Sequence, residues 1–214
     1  MQVKSKKRVV DHGEVFTSER EVNAMLDLVK QETERIESRF LEPACGHGNF
    51  LVEVLKRKLD VVEKRYKKSQ LEYERYAISA ISSIYGVDIL EDNVIDCRNR
   101  LFETLNDSYK SIFKSKCKEE FKNSAWFILN RNILWGDALT MKSVCGKEDP
   151  IIFSEWSAVN GSMLKRRDYS LAHLLVYQPM DGLNLFSDLG DQAFIPKPVK
   201  EFPIMHFLKL SEDV

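Results

Sequence analysis

The chain is short of the features that place a protein outside the cell or in a membrane. Its four cysteines, Cys45, Cys97, Cys117 and Cys145, are widely spaced, with no CxxC pair and no histidine at metal-ligand spacing. That argues against a disulfide scaffold and a zinc site, so the expectation is reduced thiols, no metal and a cytoplasmic location. No run of about 18 apolar residues exists, so no membrane span is expected. The basic N-terminus, Met1-Gln2-Val3-Lys4-Ser5-Lys6-Lys7-Arg8, lacks the apolar core of a secretory signal. Excess charge is missing too: 32 basic and 33 acidic residues leave a net −1, which argues against a globally basic nucleic-acid binder. Internal repeats and low-complexity linkers are also absent.

What is present suits one α/β domain: 214 residues, of which 43% are hydrophobic, enough for a sizeable core. Basic residues cluster at Lys4–Arg8, Lys56–Lys68, Lys110–Lys122 and Lys165–Arg167. The middle two read as solvated helix faces. The first and last fit either a solvated surface or a phosphate contact.

The most informative stretch is Leu41-Glu42-Pro43-Ala44-Cys45-Gly46-His47-Gly48-Asn49-Phe50. An apolar run ending in an acid meets a two-glycine turn and then the amphipathic Leu51-Val52-Glu53-Val54-Leu55, the pattern of strand, tight turn and helix. Gly46 and Gly48 permit close backbone approach to a ligand. The acid can face a cationic group and the helix-start amides an anionic one. A ligand carrying both signs of charge is the expectation.

Upstream, Ser18 and Glu21 form a capping-box pair, and Val22, Met25, Leu26 and Val29 make one helical face over 18–37. Helices are expected near 50–65, 70–82 and 91–105, with 110–122 a weaker helical candidate. Strands are expected at 40–42, 84–88, around 127–129 and 132–137, and at 150–153. Alternating strands and helices imply parallel pairing with helices on both faces. Arg166 to Leu175 reads as one more helix and Phe202 to Leu210 as one more strand, in a tail broken by Pro179, Pro196, Pro198 and Pro203.

Glu42, Asp88 and Asp137 each close an expected strand, and such ends face one crevice in a parallel sheet. Asp88 is placed to accept both hydroxyls of a ribose, and Asp137 the exocyclic amine of an adenine. A dinucleotide is the weaker alternative, because Leu51 stands where the third glycine of GxGxxG belongs.

These residues resemble S-adenosylmethionine-dependent methyltransferases, and among them the adenine-N6 DNA methyltransferases of restriction–modification systems. Glu42, Pro43, Ala44, Cys45, Gly46, Gly48 and Phe50 match the (D/E)-P-A-C-G-x-G-x-F signature. Gly13-Glu14-Val15-Phe16-Thr17 is similar to the F-T-P segment that closes over the methionine end of the cofactor, with Ser18 in place of proline. Gly86-Val87-Asp88-Ile89 and Gly136-Asp137-Ala138-Leu139 are similar to the ribose-side and adenine-side motifs.

The resemblance implies a Rossmann-like class I methyltransferase fold with a mostly parallel sheet, shortened at its C-terminal strands. It divides the chain into a basic arm and lid helix (1–38), a cofactor-binding core (39–178) and an irregular tail (179–214). S-adenosyl-L-methionine is the implied cofactor, held by Phe16, Thr17, the Glu42–Phe50 loop with Asn49, Asp88, Ile89, Asp137 and Ala138. DNA is the implied substrate.

The family's (N/D/S)-P-P-(Y/F/W) motif is missing. After the expected fourth strand the chain reads Ser154-Glu155-Trp156, and no Pro-Pro occurs anywhere. These three residues are the candidate catalytic edge: Ser154 and Glu155 as acceptors for the amine, and Trp156 to stack on a flipped adenine. With no room for a recognition domain, a partner subunit would supply target recognition. A cofactor-binding subunit without catalysis, which regulates or completes a partner enzyme, is the second expectation.

Overall fold

The computed structural model describes residues 8–10, 17–144, 149–175 and 197–212. The Ser18–Glu21 capping box forms as expected, with Ser18 N–H donating to Glu21 Oε2 at 3.0 Å and Glu21 N–H to Ser18 Oγ at 3.4 Å. It starts α1 (Glu19–Asp27), which is shorter than the expected 18–37 helix and is followed by a single turn, α2 (Lys30–Thr33). Leu28 and Val29 donate to carbonyls three residues back, tightening and ending α1. Only Val22 and Leu26 of its apolar set are buried; Met25 and Val29 face solvent.

β1 (Phe40–Glu42) leads through the glycine loop to α3 (Asn49–Tyr66), and α4 (Gln70–Ser82) delivers β2 (Ile84–Asp88). α5 (Glu91–Phe113) outruns its expected end at Leu105, because Leu101, Leu105 and Tyr109 continue the buried stripe at four-residue spacing. α6 (Glu119–Asn132) absorbs Phe127–Leu129, which the sequence reading took as strand. Its buried set, Phe121, Ala125, Ile128 and Leu129, has helical spacing rather than alternation. β3 (Ile133–Asp137) and the short β4 (Lys142–Ser143) complete a sheet in the order β1-β2-β3-β4. The first two pairings are parallel and the last antiparallel. The molecule is thus α/β with a mixed sheet.

The expected fourth parallel strand is a correction. β5 (Ile152–Asn160), β6 (Met163–Ser170) and β7 (Lys200–His206) form a separate antiparallel sheet. Pairing of Asn160 with Met163 closes a tight hairpin at Gly161, whose φ is +54°. A turn that short can only join antiparallel strands. The helix expected from Arg166 is likewise strand until Ser170: residues 163–170 alternate strictly between half-buried and buried, a period of two. Only α7 (Leu171–Leu175) is helical there. The strand expected over Phe202–Leu210 forms as β7, shifted to Lys200–His206, within the tail otherwise expected to be irregular.

α3, α4, α5 and α6 join Ile84 and Ile133 in one large buried cluster. On the other face, Tyr85 and Val87 pack with Ile151, Phe153 and Leu171. Helices were expected on both faces; the second cluster contains no residue of the four long helices. Within the large cluster, Lys58 of α3 is fully buried rather than solvated. Its ammonium donates to the carbonyls of Ile36 (3.1 Å) and Ser38 and to Ser83 Oγ, and lies 5.2 Å from the Phe40 ring. Burial pushes its pKa down to about 7.

Candidate functional site

The parallel register sets the three acids in a stair. Glu42 is level with Gly86, Asp88 with Trp135, and Asp137 lies two residues further along β3. Paired residues share a sheet face and residues two apart share it again, so all three project on the face carrying Ile84 and α3. Strand spacing and rise put the first and last about 16 Å apart. Each acid has a different neighbourhood.

Glu42 is half-buried. Desolvation pushes its carboxyl above the usual range, partly offset by the Ala44 backbone N–H, and no cation pairs with it among the described residues.

Asp88 is 8% exposed and strongly engaged. Its Oδ2 accepts from Gly46 N–H at 2.8 Å, and its Oδ1 from Leu90 N–H at 2.9 Å and Asn93 Nδ2 at 3.2 Å. One carboxylate therefore ties the glycine loop to the β2 tip and the start of α5. Asn93, itself buried, also accepts from Arg8 at 3.3 Å, while Arg8 pairs with Asp92 at 2.6 Å. Arg8 of the basic arm is spent within the molecule.

Asp137 is solvated. Leu139 N–H, at 2.9 Å, is the chief cause of a carboxyl held below its ordinary value. Ile89 is exposed beyond Asp88, and Ala138 packs toward the second cluster.

The loop between β1 and α3 turns on two left-handed glycines, Gly46 at φ +51° and Gly48 at φ +88°. A Cβ at Gly48 would lie 2.7 Å from Cys97 Sγ, so a larger residue meets both backbone strain and α5. Cys45 N–H donates to Val87 O at 2.9 Å and Gly48 N–H to Cys45 O at 2.8 Å. Cys45 is buried, and contact with the Cys97 thiol together with burial pushes its own thiol up, consistent with a packing residue. Among the described residues no side chain caps the N-terminus of α3, and uncapped first amides are groups that an anion can meet. Pro43 and Ala44 are exposed at the turn, while Phe50 packs on the large cluster. Phe16, with Gly13–Val15 and His12, lies outside the described residues. Thr17 accepts from Asn49 Nδ2 at 2.9 Å.

Ser154, Glu155 and Trp156 do not form an edge beyond a parallel strand. They lie in mid-β5, where alternation sends them to opposite faces. Ser154, 2% exposed, donates to Asp168 Oδ1 at 2.7 Å and accepts from Arg166 Nε at 3.1 Å. Trp156 belongs to the large cluster, edge-on to Phe127. Glu155, on the other face, pairs with Arg39 at 2.6 Å and Arg167 at 3.5 Å. Arg166 is buried against Asp168, and Lys165 pairs with Glu201 at 3.0 Å. The basic trio is engaged with protein acids.

Arg100 and Asn93 join the site from outside the sequence-predicted set. Arg100 Nη1 donates to the His47 carbonyl at 2.7 Å and to Asn49 Oδ1 at 2.9 Å, and touches His47 Nδ1. His47 therefore anchors the loop through its carbonyl. No motif marks Arg100, which meets the loop only through the fold; Asn93, five residues past the strand-end acid, carried a weak helix-start signal. Of the other described histidines, His173 is exposed and His206 stacks on Phe207. Trp126 is 38% exposed, edge-on to Phe102.

Among the described residues no group of three His, Cys, Asp or Glu could hold a metal, and no helix is long and apolar enough to cross a membrane. No protein-family model, curated protein or solved structure gives a significant match to the chain.

Proposed function

We propose that this chain binds S-adenosylmethionine in a Rossmann-like, class I methyltransferase-type core and serves adenine-N6 methylation of DNA in a restriction–modification system. One observation carries the reading: three acids on one sheet face, at the carboxyl ends of three adjacent parallel-paired strands, beside a left-handed two-glycine loop. Glu42, half-buried and without a cation among the described residues, suits an ammonium. The first amides of α3, uncapped by any side chain among the described residues, suit a carboxylate. Asp88 suits a ribose, whose hydroxyls would join or displace its present backbone donors, and Asp137 suits an adenine amine.

Two roles are compatible with that site. The chain could itself transfer the methyl group, or it could be the cofactor-binding subunit of a partner enzyme. The placement of Ser154, Glu155 and Trp156 favours the second. Adenine N6 is a poor nucleophile, and its activation needs acceptors fixed in line with the sulfonium. Ser154 and Trp156 are occupied inside a second sheet, so the acceptor geometry would come from a partner, as would recognition of the target sequence. We place the protein in the cytoplasm on its thiols and its partners there.

Tritiated-methyl transfer to unmethylated bacterial DNA, with and without neighbouring-gene products, separates the roles. Transfer only in the presence of a partner is the expected outcome. Transfer by the isolated chain would restore the catalytic role, and no transfer in any combination would remove the DNA proposal.

A further inference from the structure

Arg100 projects from α5 three residues beyond Cys97, whose thiol packs under Gly48. It reaches the same loop from the side. Its Nη1 holds the His47 carbonyl, and the peptide that follows is fixed at its other end by the Gly48 N–H bond to Cys45 O. The same nitrogen donates to Asn49 Oδ1, while Asn49 Nδ2 donates to the Thr17 carbonyl. The Asn49 amide is oriented by both partners: reversing it would set NH2 against a guanidinium and oxygen against a carbonyl. Thus a single guanidinium nitrogen, directly or through one side chain, joins the glycine loop, the first residue of α3 and the residue before the α1 N-cap. Together they border a cavity of about 360 Å³ that Ser18, Val52 and Lys56 help to line.

We propose that Arg100 and Asn49 form a clasp that sets the conformation of the glycine loop and holds the Thr17–Ser18 segment against it. Asn49 is then a positioning residue rather than a cofactor contact. The inference deepens the cofactor-binding reading and rests on it for its functional consequence.

Its physical logic is preorganisation. Asp88 and Val87 hold the Cys45–Gly46 end of the loop, whereas the His47–Asn49 end runs through a left-handed glycine into a helix start without a side-chain cap. Charge-assisted bonds from a guanidinium hold that end from outside. A loop already held in place loses less entropy when a ligand arrives. The clasp therefore acts on affinity without touching the ligand, and it makes the segment before α1 and the loop respond as one unit.

The test uses the full chain with Arg100→Ala, Arg100→Lys, Asn49→Ala and the Arg100→Ala/Asn49→Ala double variant. Binding of S-adenosylhomocysteine is read by calorimetry, and hydrogen exchange of amides 46–52 is read without ligand. Each alanine variant should weaken binding about tenfold, and the double variant scarcely more, because both remove one linked arrangement. Arg100→Lys keeps a donor and should recover part of the loss. Exchange over 46–52 should quicken in Arg100→Ala while the amides of α6 keep their protection; a general loss of stability would move both. Additive losses, or loop exchange unchanged in Arg100→Ala, would overturn the clasp. Absence of binding by the wild-type protein would instead sink the cofactor reading, and the exchange data alone would then decide whether Arg100 holds the loop.

Discussion

Replacing Asp88 by alanine should harm the fold as well as the site. The carboxylate satisfies three donors: the Gly46 and Leu90 amides and the Asn93 side chain. Hydrogen bonds to a charged group contribute about 1.5–3 kcal/mol each, and a buried donor left unpaired costs about 1–3 kcal/mol. Gly46 is only half-buried and can turn to water, whereas Asn93 is almost fully buried. We therefore expect a loss of about 3–5 kcal/mol for Asp88→Ala and roughly half of that for Asp88→Asn, which keeps one acceptor oxygen. Urea denaturation measures this directly: with a slope of about 2 kcal/mol per M, the alanine variant's midpoint should fall by about 2 M. Affinity for S-adenosylhomocysteine should fall in both variants. A midpoint shift under about 0.5 M would refute the reasoning, since it would mean that the three donors find other partners at no cost.

Two further outcomes follow from buried groups. Lys58 has a pKa near 7 when folded against 10.5 for a free lysine. Between those values the unfolded chain binds the extra proton, so stability should rise with pH, by at most about 1.4 kcal/mol per unit, and flatten below 7. Lys58→Met should remove that slope whatever it does to absolute stability; an unchanged slope in urea titrations at pH 7 to 10 would assign it elsewhere. Ser154→Ala removes one donor from the buried Asp168–Arg166 pair, which keeps its own two contacts. It should cost about 1–2 kcal/mol and leave cofactor affinity unchanged, checked by denaturation and calorimetry on the same preparation.

Local patterns carried the first half of the chain. The glycine loop, the Ser18 capping box and the strands at 40–42 and 84–88 appear where local chemistry places them. The acid stair was legible because strand ends can be read from short apolar runs, although its shared face needed the register. The errors came where periodicity was too short to decide. Phe127–Leu129 is apolar enough for a strand, and only its spacing to Phe121 and Ala125 shows the helix. Ile151–Phe153 has the apolar run of a parallel strand, yet the turn at Asn160–Gly161 folds it onto β6. The antiparallel pairing that this turn imposes takes Ser154, Glu155 and Trp156 away from a parallel-strand edge. Arg100 and Lys58 were illegible because their partners lie tens of residues away, and a charged residue on a helix reads first as solvated.

The decisive measurement is titration calorimetry of the pure, folded protein with S-adenosylmethionine and S-adenosylhomocysteine. Saturable heat at one site per chain is expected, with Glu42→Gln weakening the interaction about tenfold through loss of the ammonium's partner. No heat with either compound, from protein that unfolds cooperatively, would contradict the cofactor-binding reading.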